Sequence, residues 1–428
     1  MALDSPFAAC LLAMCIAQAS PHHAPSSPPK TEVDPESVPT PDDPGAAGSS
    51  RERLTGDWWG ARTSLESAGV DFGGEYILEW TDVASGGLHQ DDSFRNLLSL
   101  DVRFDLERLL GMTGASAYLQ YLSVNAERGG SFDAGDIQIF SNIEVEESLD
   151  ALYEMWWEQR LFDDRIRIKL GKLDANTEFA AAGVADRFSN SSAGYSPTIF
   201  VLPTYPDSAF SANIFVEPVD GYTIGYGFYD GAAGVDGVPT GRRGPSTFFS
   251  DKRSDDYFHI LEGAAGWNSA GSLGGGVLKI GGWLHTGDFE RFDGGFDDDT
   301  LGFYALFEQK LLHWATAQDE GGLYMFAQYG WADQQVSDFR QHIAGGLVAL
   351  DPFGRDGDST GVYLSYADLS DVPAAGYSED EFVVDAYYRL QTTPFAFIQP
   401  EIQWIVNPSG NPDIDDALVL GVRVGIEF

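Results

Sequence analysis

The sequence predicts an all-β chain that forms a transmembrane antiparallel β-barrel of about 16 strands, with short periplasmic turns and long extracellular loops. Three observations predict it. Apolar and polar residues alternate with period two in segments of roughly 10 to 13 residues from Val70 to Phe428, the length a tilted strand needs to cross a bilayer. The gaps between these segments alternate between short and long. Beyond the N-terminus no run of about 20 apolar residues offers a membrane helix.

Composition narrows the function. The 428 residues carry 25 Lys+Arg against 66 Asp+Glu, a net charge of −41, which argues against nucleic acid or an anionic lipid surface as partner. With 43% hydrophobic and 13% aromatic residues, the chain as a whole is not intrinsically disordered.

The elements follow in order. Residues 1–19 read as a signal peptide: 7–19 (FAACLLAMCIAQA) is apolar and ends in Ala17-Gln18-Ala19, although the preceding MALDSP has no Lys or Arg. A lipoprotein start at Cys15 is the weaker reading, because Met14 suits it poorly. Cys10 and Cys15 are the two cysteines, so a chain cleaved near Ala19 has neither disulfides nor thiolate metal sites. Residues 20–50, dense in Pro, Ser, Asp and Glu, read as a disordered leader. Residues 51–69 form a periplasmic entry segment and 70–428 the barrel.

The alternation is plainest at both ends of that barrel. Val70, Phe72, Tyr76, Leu78 and Trp80 share one face against Asp71, Glu75 and Glu79; Leu418, Leu420, Val422, Val424, Ile426 and Phe428 oppose Arg423 and Glu427. Which face is wet decides between a soluble sandwich and a membrane barrel. Both charge signs occur on the polar faces, as in Arg165, Arg167 and Lys169. Trp80, Trp267, Trp331, Trp404 and Tyr222 fall near strand ends, where interfacial aromatics belong. The last strand ends on an aromatic, Phe428, the mark that barrel assembly machinery reads. Short connections at 110–114 and 162–164 contrast with long ones at 82–94, 128–147, 231–255, 287–299 and 350–359. About 16 strands leave a water-filled channel rather than a packed core.

Four separated motifs add a resemblance. Leu54-Thr55-Gly56-Asp57-Trp58-Trp59-Gly60-Ala61-Arg62 comes first, then Trp156-Trp157-Glu158-Gln159-Arg160-Leu161-Phe162 leading into Leu170-Gly171-Lys172-Leu173-Asp174-Ala175-Asn176. Ser189-Asn190-Ser191-Ser192 and Pro394 to Trp404 with Asn407-Pro408-Ser409-Gly410 follow. In these the chain resembles the carbohydrate-selective porins, the OprB family. The resemblance implies a 16-stranded channel of the bacterial outer membrane that passes small sugars such as monosaccharides down a gradient, without a catalytic step.

Passive passage calls for weak, repeated contacts. Sugar hydroxyls match carboxylates, guanidinium groups and amides, and sugar C–H faces match aromatic rings. On the strand at 149–160, Glu154, Trp156, Glu158 and Arg160 would face the lumen, with Tyr153, Met155 and Trp157 toward lipid. The next strand turns Arg165, Arg167 and Lys169 inward; Asp385 and Arg389 share one later face, Glu401 and Gln403 another. The long polar segment 174–208, with Asp174 and Asn176, reads as a loop folded into the pore to narrow it. Trp58 and Trp59 are expected to wedge the entry segment against the periplasmic mouth.

No His-Glu-x-x-His, Gly-x-Ser-x-Gly or phosphate-loop pattern occurs, so no enzyme activity or cofactor is expected. Asp297-Asp298-Asp299 and Asp356-Gly357-Asp358 could hold Ca²⁺, but solvated acidic loops explain them as well. A general or cation-preferring porin is the first rival reading, motivated by the charge; a secreted all-β carbohydrate-binding or glycan-cleaving protein is the second. A homotrimer and a monomer both remain open.

Overall fold

A computed structural model describes residues 53–125, 130–231, 256–268, 273–314 and 321–428. The expected signal peptide and leader lie outside the described residues, as does most of the connection at 231–255. Sixteen strands of the described chain close into one barrel. They are β1 Val70–Ser85, β2 Asp92–Asp105, β3 Ala115–Val124, β4 Leu149–Leu161, β5 Ile166–Leu173, β6 Ala209–Val219, β7 Tyr222–Asp230 and β8 Tyr257–Trp267. The second half comprises β9 Gly276–His285, β10 Thr300–His313, β11 Gly322–Ala332, β12 Phe339–Leu350, β13 Ser359–Leu369, β14 Glu381–Thr393, β15 Ala396–Val406 and β16 Ala417–Glu427. Each strand pairs antiparallel with its sequence neighbours, and β1 closes on β16 with Tyr76 opposite Ile426 and Trp80 opposite Val422. Closure leaves no edge strand, the condition for a sheet to sit in lipid.

The outward face is apolar. Trp80, Leu100, Ile280, Leu301, Phe303, Val362, Leu364, Ile402 and Trp404 are exposed on the barrel wall. Inward neighbours of the same strands, such as Glu79, Arg95, Glu308, Ser365 and Gln403, are buried. This is the orientation the alternation implied.

Four details depart from the sequence reading. The connection at 82–94 is mostly strand, leaving a tip at 86–91, because β1 and β2 pair as far as Asp82 opposite Asp92. The 350–359 connection joins β12 to β13 on the short-turn side, so it is not an extracellular loop. In β4 a bulge interrupts pairing with β3 between Glu154 and Leu152, and the extra residue, Tyr153, turns inward with Glu154 instead of facing lipid. Finally, the segment at 128–147 does not stand outside: its described part, 130–147, packs within the barrel, as the contacts given below establish.

The entry segment ends in a short helix, α1 (Ala61–Ala68), that fastens the seam between first and last strands. Arg62 is buried, and its guanidinium donates to Phe72 O, to Phe428 O (3.1 Å), to Thr55 Oγ1 (3.0 Å) and to Glu66 Oε1 (3.2 Å). Leu54 N adds a bond to Glu427 O at 3.2 Å. Trp58 packs edge-on to Phe72 at 5.6 Å and under Arg62. Trp59, expected to wedge beside it, is instead wholly exposed: both residues are left-handed (φ 48° and 59°), and the turn brings Trp58 onto Phe72 and Arg62 while leaving Trp59 outside. Hydrogen bonds to a charged donor are worth about 1.5–3 kcal/mol each. Arg62→Ala is therefore expected to lower the temperature at which the detergent-solubilised barrel loses its compact migration on a gel, by an amount equivalent to about 2–3 kcal/mol, with Arg62→Lys recovering only part.

Candidate pore constriction

Two segments between strands fold back into the barrel. Segment 174–208 brings Phe179, Ala182, Ala185, Phe188, Ala193 and Ile199 against inward residues of the wall: Trp156, Phe215, Tyr229, Phe258, Trp283, Tyr304, Phe326 and Tyr363. The sequence reading of this segment as an inward loop matches that placement, but its reading as polar misses the apolar surface that packs it. Phe188 alone meets Phe326, Tyr363 and Tyr387 at ring-centroid distances of 6.0, 5.5 and 4.8 Å. Segment 130–148 buries Ala134 and Phe140 against Val83, Val383, Ile405 and Val419, and Ile143 and Val145 against Leu97, Leu122 and Tyr153.

Polar contacts lock both segments in register. Glu381 accepts from Ile137 N (2.9 Å), Gln138 N (3.0 Å) and Ser409 N (2.7 Å). Gln403 donates to Phe140 O at 2.7 Å and accepts from Asn190 Nδ2 at 3.1 Å. Glu401 accepts from Ser189 N at 3.0 Å. Asp385 is fully buried on β14 opposite Gln403, diagonally across the ladder from Glu401.

A second knot sits on β4 and β5. Glu178 of the inserted segment takes both Arg167 nitrogens (3.1 and 2.6 Å) and Lys169 Nζ (2.5 Å), while Glu158 takes Arg167 (3.2 Å) and Arg160 (2.9 Å). Arg167 lies over the Phe215 ring at 4.0 Å and Lys169 over Trp156 at 3.9 Å, with Trp156 stacked on Tyr118. Burial opposes ionisation of Glu178, but Lys169 and Arg167 outweigh it and hold the carboxyl at about 2. Asp174 starts the segment: its backbone N donates to Glu154 Oε1 (2.9 Å), and its carboxylate accepts from Asn176 N (2.8 Å) and from the Tyr153 hydroxyl (2.5 Å).

A third knot escaped the selection of site residues from sequence. Glu79 on β1 binds Arg423 Nε at 2.9 Å and Arg95 Nη1 at 3.4 Å; Arg95 also reaches Thr81 (2.8 Å) and Glu144 (3.0 Å), and Arg423 reaches Asn142 (2.9 Å). The signal was available, since Glu79 and Arg423 were already on the polar faces of their strands. What was missing was Ser141, Asn142 and Glu144, brought in by the segment read as external.

Between these elements lies a small recess lined by Glu79, Phe140, Ser189, Glu401, Gln403 and Arg423 among others. Of the site residues expected from sequence, Glu401 and Gln403 line it. Glu154, Trp156, Glu158, Arg167, Lys169, Asp174 and Asn176 gather on the β4–β5 side. Arg160 and Arg389 lie toward the short-turn end, Arg389 over the Phe397 ring at 3.4 Å. Arg165 is not a lumen residue: it precedes β5 in the 162–165 turn and pairs with exposed Asp220 at 2.6 Å. The Ca²⁺ readings find no support. Arg291 takes Asp297, Asp358 accepts from Arg355, Tyr388 and Gln391 N, and among the described residues no group of three or more His, Cys, Asp or Glu could hold a metal ion.

Residues 89–428 match the family model described as carbohydrate-selective porin, OprB family. The chain belongs to that family. It is thus a porin of the bacterial outer membrane. Among relatives of this OprB-family porin, Porin B of Pseudomonas aeruginosa is 21% identical, with 88% of this chain and 91% of the relative covered. The putative porin QuiX of Acinetobacter baylyi is 22% identical over 88% of this chain and 93% of its own. The high-pH structure of Pseudomonas putida OprB superposes with a TM-score of 0.78 at 19% identity, covering 89% of this chain and 99% of that one.

The lowered carboxyl of Glu178 sets a pH dependence. Its ion pairs stabilise the porin fully above the ordinary glutamate value of 4.5, and that contribution is lost as the pH falls toward about 2. Glu178→Gln is expected to unfold at a lower temperature than wild type at neutral pH, with the gap closing as the pH is taken from 4.5 to about 2.

Proposed function

We propose that this porin sorts solutes at the recess between the two inserted segments and β1, β15 and β16, favouring neutral monosaccharides over other solutes of similar size. The observation that carries the reading is the mixture around that recess: Glu79 with Arg423, Glu401 and the amide of Gln403, and the ring of Phe140. Hydroxyls can exchange among these donors and acceptors at similar energy, which gives weak binding and fast release. Paired charges present no strong field to a neutral solute. Glu154, Trp156, Glu158, Arg160, Arg167, Lys169, Asp174, Asn176, Asp385 and Arg389 serve as a polar wall along the way, most of them by holding the inserted segments. Passage involves no covalent step and no bound metal.

In this reading residues 1–19 direct export and are removed near Ala19, 20–50 form a Pro-rich leader, 51–69 a periplasmic entry segment, and assembly machinery recognises the strand ending in Phe428. A cation preference is the second reading, favoured by the net charge of −41.

Liposome swelling with refolded protein tests the first. Faster swelling in glucose-sized sugars than in amino acids of similar size is expected; equal rates would remove sugar selectivity. The reversal potential in a KCl gradient tests the second, a strong K⁺ preference favouring a cation channel. Arg423→Gln leaves Glu79 without its closest cation, so it is expected to shift that potential toward K⁺.

A further inference from the structure

We propose that Ile139 is a specificity-determining residue: an apolar jaw held out into the water-filled passage, where it meets the C–H face of a pyranose. The inference deepens the sugar-selective reading of the lumen and rests on it.

Three observations meet at this residue. First, Ile139 is 42% exposed although Gln138 and Phe140 on either side are each 1% exposed, and the segment that carries all three packs inside the barrel. A large apolar side chain within the wall of a closed barrel, yet in contact with solvent, faces the aqueous interior. Second, its backbone is left-handed (φ 55°), a conformation that β-branched residues rarely adopt. Nothing about an isoleucine favours that geometry; Asn or Gly would hold it with less strain.

Third, the surroundings fix the strained turn from every side. Glu381 binds Ile137 N and Gln138 N, the Gln138 side chain accepts from the Ser365 hydroxyl, Ser191 N donates to Ile139 O at 2.9 Å, and Gln403 donates to Phe140 O. Such strain persists only where neighbours over-determine it, and it concentrates where a side chain is being aimed. The turn stands beside the constriction. Phe140 and Ser189 both line the recess, and Ile139 is one residue from the first and bonded to the segment of the second.

The chemistry follows. A pyranose has hydroxyls around its rim and C–H bonds across its faces. Glu401, Gln403, Arg423 and Ser189 can serve the rim; a branched alkyl group in the neighbouring turn would serve a face. Small polar amino acids and linear polyols have no such flat apolar surface, so the jaw adds discrimination that a polar ring alone lacks.

Ile139→Asn tests this with little change in bulk and with a residue that tolerates the left-handed turn. Expected results are an unfolding temperature equal to or above wild type, an unchanged KCl conductance, and a severalfold drop in the ratio of hexose to amino-acid flux in liposome swelling. Ile139→Gly should also raise conductance by widening the passage. A wild-type preference for hexoses that Ile139→Asn leaves intact would overturn the role of Ile139 alone. A wild-type channel with no preference would overturn the sugar-selective reading and this inference together. Should Ile139→Asn fail to refold, the strained turn needs isoleucine for packing, and the proposal is equally overturned.

Discussion

Inside a hydrocarbon layer no water is available to a backbone amide, so every N–H and C=O at that depth must be bonded within the protein. The closure of β1 on β16 meets that demand, and other features descend from it. A closed ladder has two faces and an alternation of two, so each strand that turns Trp80 or Trp404 toward lipid must turn Glu79 or Gln403 toward the lumen. Charged residues inside the barrel are thus imposed first by geometry, and only afterwards recruited for pairing or for solutes.

The lumen then poses a second problem. Sixteen strands enclose more space than side chains can fill. Here two returning segments occupy it by different means. Segment 174–208 relies on rings, Phe179 and Phe188 lying against aromatic residues of four strands. Segment 130–148 relies more on hydrogen bonds and ion pairs to Glu381, Arg95, Arg423 and Gln403. An apolar contact tolerates sliding, whereas a set of directional bonds fixes register, which suits the segment that lines the recess with Phe140.

Strand number, closure and outward face were legible in the sequence because period two is a local signal. Where the wall receives the inserted segment the signal blurs: in β8, Phe258 and Ile260 face inward while Tyr257, His259 and Leu261 lie on the other face, and the run reads as apolar on both sides. Tyr153 was misjudged because a one-residue bulge leaves no mark in composition. The placement of 130–148 was out of reach for another reason. The bond between Ile137 and Glu381 spans 244 positions, and nothing near Ile137 announces its acceptor. Arg167, Lys169, Glu401 and Gln403 were found because alternation alone turns them inward; Glu144 was missed because its partner, Arg95, lies 49 positions away in the chain.

The buried guanidinium of Arg62 spans a gap of another sort. It donates both to Phe72 and to Phe428, the second of these 366 positions away along the chain. During synthesis and insertion one acceptor exists long before the other, so the clasp can form only after the final strand has docked beside the first. The helix that bears it behaves as a completion latch: loose on any partly built cylinder, snapped shut on a finished one.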